Sequence, residues 1–141
     1  ELERIIGELG LEEKVFLLGW QWDIIPFLTI ADVFVLTSLW EGLPTVIPMA
    51  YAAGKPVVAT RVDGSKEAVV PAKTGFLVSP HDIEDMAEKV LYLLSQPGKA
   101  QKMGEAGKKL VSLYDIKAMV KKQESLYLEI YRKRREKEAS S

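Results

Sequence analysis

The chain has no cysteine among its 141 residues and a single histidine, His81. The first absence excludes disulfides and thiol chemistry, and it is compatible with a reducing compartment. The second, together with the lack of any Asp-x-Asp pair, removes the usual means of holding a divalent ion, so no metal site is expected. His81 lies in Ser79-Pro80-His81-Asp82, just before a helical pattern, and reads as a solvated helix-start residue. An excess of one charge is also missing. Nineteen Lys and Arg stand against 20 Asp and Glu, a net charge of −1, which gives no reason to expect nucleic acid or an anionic membrane as partner. Apolar runs such as Val33–Leu36 and Val57–Ala59 are far too short to span a bilayer. No basic n-region and apolar h-region open the chain, so no secretory signal is visible.

What is present is an ordinary globular composition, 48% hydrophobic and 28% charged, in a length that suits a single domain over residues 1–141. Helical patterns alternate with short β-rich apolar runs, the signature of an α/β fold with a parallel sheet. Leu2, Ile5, Ile6 and Leu9 mark one face of a helix that stops at Gly10. Val15–Leu18 is a continuous apolar run and predicts a strand covered on both faces. Gly19–Asp23 reads as a loop and Ile24–Ala31 as a short helix with Pro26 in its first turn. Strands are expected at Val33–Leu36, Pro56–Ala59 and Gly75–Val78, with a helix at Thr45–Ala53 between the first two.

After Val78 the pattern becomes helical. Asp82 can cap a helix with Ile83, Met86, Ala87, Val90, Leu91 and Leu94 as its apolar stripe. Pro97-Gly98 ends it, a second helix covers about Ala100 to Leu113, and a third runs from about Asp115 into the tail. Ile116, Met119, Val120, Gln123, Tyr127, Ile130 and Tyr131 share a face of that last helix. The four basic residues Arg132–Arg135 meet acidic ones at once and read as a solvated, fraying helix end, with a membrane-surface or partner role as the alternative.

The chemistry concentrates in Ser38–Gly54. A loop between a buried strand and a helix start lies at the carboxyl edge of a parallel sheet, where ligands bind in open α/β folds. Gly42 lets backbone approach a ligand closely, and Pro44 fits the first turn of a helix. The free amides of that helix would face an anion such as a phosphate. Glu41, just outside them, could accept hydrogen bonds from sugar hydroxyls. Spacing alone leaves open whether Glu41 does this or only favours the helix terminus electrostatically.

The ordered motifs resemble a known family. Ser38-x-x-Glu41-Gly42-Leu43-Pro44 followed by Ala50-Tyr51-Ala52-Ala53-Gly54-Lys55-Pro56-Val57-Val58-Ala59-Thr60 is similar to the signature of family 4 glycosyltransferases of the GT-B fold. Asp63-Gly64-Ser65-Lys66-Glu67 resembles the family's Gly-rich turn with its glutamate, and Thr74–Val78 its T-G-x-L-V strand. Val15-x-Leu17-x-Gly19 and Ala31-Asp32-Val33 stand where the family has V-x-F-x-G and A-D-V.

The resemblance implies the C-terminal, donor-binding domain of a retaining hexosyltransferase: a Rossmann-like parallel sheet with helices on both faces and a helical C-terminal third. It implies that Glu41, the first glutamate of E-x7-E, contacts the transferred sugar and is the residue on which catalysis depends. Gly42 and the amides of Leu43, Thr45 and Val46 would face the donor's sugar and phosphates. Gly19, Gln21 and Trp22 would surround the base, although simple loop packing also accounts for Trp22. The implied partner is a nucleotide-diphosphate sugar, with no metal or other cofactor. The implied setting is polysaccharide biosynthesis in the cytoplasm, with the full enzyme in peripheral contact with the inner membrane face.

Two departures qualify this. Met49 stands where the second glutamate would bind the ribose, and a thioether cannot replace that acceptor; the lost charge-assisted contact is worth about 1.5–3 kcal/mol. The family's first two strand–helix units, with the Gly-rich turn and the Arg/Lys pair for the diphosphate, precede the position of Glu1, as does the N-terminal acceptor-binding domain. The family's strand order would put the two missing strands between Val15–Leu18 and Val33–Leu36. The chain is therefore expected to be a fragment of a longer enzyme, unless another chain repairs the sheet or the two runs pair directly. A non-catalytic binding or interaction module derived from the fold is the alternative function. A related sugar-nucleotide epimerase fits Glu41-Gly42-Leu43-Pro44 less well.

Overall fold

A computed structural model describes residues 1–139. Three parallel strands, β1 (Phe34–Leu36), β2 (Val57–Thr60) and β3 (Gly75–Val78), form one sheet in the order β1-β2-β3. Phe34 pairs with Val57 and Val57 with Gly75, so the carboxyl ends of all three strands come to one edge. The helices are α1 (Leu2–Glu8), α2 (Ile25–Ile30), α3 (Val46–Ala52), α4 (Asp63–Ala68), α5 (Ile83–Ser95), α6 (Pro97–Lys108) and α7 (Ile116–Ala139), with a 3-10 turn at Val111–Tyr114.

β2 is the central strand and is fully buried, which is why its side chains read as a run rather than an alternation. Val57 and Ala59 face a cluster with Leu28, Ile47, Tyr51 and Leu77, built from α2, α3 and the sheet. Val58 faces the other way, toward Val78, Leu93 and Met103 from β3, α5 and α6. Helices therefore cover both faces of the sheet, as the alternating sequence pattern implies.

Glycines set how closely the layers approach. A Cβ on Gly75 would overlap the Val57 backbone, and one on Gly107 in α6 would overlap the Tyr51 ring. Tyr51 is fully buried; its hydroxyl donates to Ala68 O at 3.1 Å and lies 2.7 Å from Thr74 Oγ1. Burial pushes its pKa up to about 12, an effect the Thr74 hydrogen bond partly offsets.

Four expectations need correction. Val15–Leu18 forms no strand and does not pair with β1; its side chains are 40–71% exposed. A strand needs a neighbouring strand for its amides and carbonyls, and among the described residues none pairs with this run. Asp63–Glu67, likened to a Gly-rich turn with its glutamate, lies in the short helix α4. In α5 the inward residues are Met86, Val90 and Leu93 at helical spacing, whereas Ile83, Leu91 and Leu94 are exposed. The second helix begins earlier than expected, at Pro97, and ends at Lys108. Asp82 does cap α5, accepting from Asp85 N at 3.0 Å. The face shared by Ile116, Met119, Val120, Tyr127, Ile130 and Tyr131 exists on α7, but all of these residues are exposed. That helix is continuous to Ala139, with ion pairs Lys133–Glu129 and Arg134–Glu138 along its basic end.

Candidate functional site

The loop from Thr37 to Thr45 leaves the carboxyl end of β1 and enters α3. It is held at three points. The Thr60 hydroxyl at the end of β2 donates to Ser38 O. Ser38 Oγ in turn donates to Glu41 Oε1 at 2.6 Å, a charge-assisted bond that fixes the carboxylate. Gly64, in the first turn of α4, donates its amide to Glu41 O at 3.1 Å. A Cβ on Gly64 would overlap the carbonyl of Gly42, so only glycine permits this approach of the two loops.

Pro44 is buried and anchors the start of α3, while Gly42, Leu43 and Thr45 are exposed and Val46 is half-buried. Thr45 takes the N-cap position without a side-chain hydrogen bond to the helix. The opening amides of a helix have no partner within it. Glu41, Thr45 and Val46 thus share one loop at the carboxyl edge of the sheet: a half-buried carboxylate and, four residues on, a helix start without a side-chain cap. This arrangement can accept hydrogen bonds from a polyol and donate them to an anion.

The other expected residues fall elsewhere. Met49 is half-buried and packs against the core cluster around Tyr51. Gly19 has φ +63°, and Gln21 Nε2 donates to Leu18 O at 2.7 Å. Trp22 is 94% exposed and meets Trp20 edge to face at 6.1 Å between ring centroids. The hydrogen bonds of this Gly19–Trp22 loop are local and none reaches the Glu41 loop. Its support is the unpaired Val15–Leu18 run, so its place over the site is not fixed by the sheet.

Sequence reasoning missed Thr60 and Gly64 as the residues that hold the Glu41 loop. Both lie in motifs with a legible resemblance, but their hydrogen bonds span 22 and 23 positions, which periodicity cannot reveal. His81 is exposed, as expected, and has φ +68°. Among the described residues no group of His, Asp or Glu is placed to hold a metal ion, and no helix is long and apolar enough to cross a membrane.

Comparison with known proteins bears on the family and the fold. An α-1,3-galactosyltransferase of Escherichia coli, named for UDP-Gal and α-D-GlcNAc-diphosphoundecaprenol, is 31% identical over 131 residues, covering 87% of this chain and 32% of that enzyme. A glycosyltransferase structure from Rickettsia africae superposes with a TM-score of 0.86 at 30% identity, covering 92% of this chain and 35% of that one. HepE of Anabaena, solved in complex with UDP-glucose, superposes with a TM-score of 0.82 at 28% identity over 91% of this chain and 35% of HepE. The chain thus spans about a third of the length of each of these three proteins. The family model described as glycosyl transferases group 1 matches residues 1–110, and the chain belongs to that family of GT-B-fold glycosyltransferases.

Proposed function

We propose that this chain is the donor-binding part of a retaining glycosyltransferase, one that moves a sugar from a nucleotide-diphosphate sugar to a glycan or lipid acceptor. The observation that carries this reading is the Glu41 carboxylate, fixed by the Ser38 hydroxyl, with the Glu41 backbone carbonyl held by the Gly64 amide, in the loop that leads into the start of α3. Glu41 accepts hydrogen bonds from hydroxyls of the transferred sugar. Gly42 leaves room for the ligand, and the amides of Leu43, Thr45 and Val46 face the sugar and phosphates. Gly19, Gln21 and Trp22 enclose the base.

Catalysis here rests on positioning and on stabilising the departing diphosphate, with no metal and no side-chain acid or base from this chain. The acceptor-binding domain and the cations for the diphosphate belong to the remaining length of the enzyme, in line with the one-third coverage of its relatives. An undecaprenol-linked acceptor, named for the E. coli relative, fits a cytoplasmic enzyme working at the inner face of a membrane.

Met49 favours a second reading. Its thioether packs against the core where a ribose-binding carboxylate is expected, as in a binding module that has lost catalysis. Two measurements decide. Isothermal titration with UDP-glucose should give binding that Glu41→Ala removes while circular dichroism stays unchanged. In the enzyme that carries this chain, the same substitution should abolish transfer; near-normal turnover would sink the proposal. UDP-glucose binding without transfer by the unsubstituted enzyme would favour the module.

A further inference from the structure

Serine hydroxyls in loops mostly bond to nearby backbone groups. Ser38 does otherwise. Its backbone carbonyl is taken by the Thr60 hydroxyl, and its own hydroxyl proton goes to Glu41 Oε1 at 2.6 Å. Both residues are half-buried. Among the described residues no other group donates a hydrogen bond to this carboxylate.

One proton cannot satisfy two oxygens. An ionised carboxylate offers about four acceptor sites across its two oxygens, and Ser38 fills one of them on Oε1. Oε2 keeps its acceptor sites for a donor from outside the chain. A glutamate has several side-chain torsions, and one free to rotate would offer either oxygen in several positions. Pinned at Oε1, the carboxylate offers Oε2 from one rotamer, and that ordering precedes any ligand rather than opposing its binding.

The ties of the loop backbone do not depend on the Ser38 hydroxyl. Thr60 donates to the Ser38 carbonyl, and the Gly64 amide donates to the Glu41 carbonyl. Removing the hydroxyl alone frees the carboxylate and leaves the loop anchored, so the effect of Ser38 on Glu41 is separable from the fold.

We infer that Ser38 is a positioning residue for the donor sugar, acting through Glu41: it holds Oε1, so that Oε2 accepts from one particular sugar hydroxyl. This rests on the donor reading above and deepens it, from contact with a sugar to discrimination among its hydroxyl groups.

The test is calorimetric titration of the chain with UDP-glucose and with its mono-deoxy analogues, each lacking one sugar hydroxyl. In the unsubstituted chain one analogue is expected to bind about tenfold more weakly than UDP-glucose, the effect of losing a hydrogen bond to a charged group. Ser38→Ala should bring UDP-glucose to within about twofold of that analogue and leave the analogue's own affinity unchanged. A merely structural role for Ser38 would weaken every compound alike. Ser38→Ala that keeps the full ratio, or that weakens all the compounds equally, overturns the inference while the donor reading stands. So does an unsubstituted chain that binds every analogue as well as UDP-glucose. An unsubstituted chain that does not bind UDP-glucose overturns the donor reading and this inference with it.

Discussion

Val15–Leu18 and Val57–Thr60 are both short apolar runs, the first the more hydrophobic, and their fates are opposite. Val57, Val58 and Ala59 are fully buried with a strand on each side and helices on both faces. Val15 to Leu18 lie largely in water with no strand beside them. The runs differ in their neighbours. Apolar side chains supply the tendency to leave water, about 1.5–3 kcal/mol for each fully buried Val or Leu. A strand forms only where backbone groups also find partners. β2 has both conditions met within 141 residues; Val15–Leu18 has one, in a chain that spans about a third of its relatives.

That contrast can be broken by substitution. The largest effect is expected at Gly75, where any side chain meets the Val57 backbone: Gly75→Ala should cost about 3 kcal/mol or more, read from urea midpoints. Val58→Ala, which leaves a cavity between the sheet and α5, should cost about 2 kcal/mol.

Tyr51→Phe comes next, at about 1–2 kcal/mol near neutral pH for its lost hydrogen bonds. It also carries a pH signature. The folded phenol has its pKa raised from 10.0 to about 12, so its stabilising contribution is complete below pH 10 and is lost as pH rises from 10 through about 12. Wild type should lose stability across that window more steeply than Tyr51→Phe, and equal slopes would show that the hydroxyl is not buried.

The smallest effect is expected at Leu17→Ala, within about 0.5 kcal/mol, because the side chain is already half in water. Amide exchange sharpens the same comparison: protection is expected at Val57–Thr60 and not at Val15–Leu18. A cost at Leu17 equal to that at Val58 would erase the distinction.

The local elements were legible where local physics decides them. Pro26 opening α2, Gly54 (φ +73°) closing α3 and Asp82 capping α5 were all visible as residue types at fixed offsets. The inward face of α5 was legible only in part: Met86 and Val90 were expected there, Leu93 was not. Leu91, Leu93 and Leu94 offer similar hydrophobicity, and only packing on Val58, Val78 and Met103 selects Leu93. Likewise α6 carries Gly104 and Gly107, which read as helix-weakening residues, yet α6 approaches Gly54 and Tyr51 so closely that a side chain at either position would clash.

The sequence by itself determined the class of fold, three of the strands, the family and the loop that carries Glu41, because composition, turn chemistry and motif order are properties of neighbouring residues. Only the tertiary structure decided that Thr60 and Gly64 hold that loop and that Met49 joins the core. It also decided that, among the described residues, no strand pairs with Val15–Leu18. Each of these depends on hydrogen bonds and contacts between segments far apart in the chain, and those distances are set by the sheet and its packing.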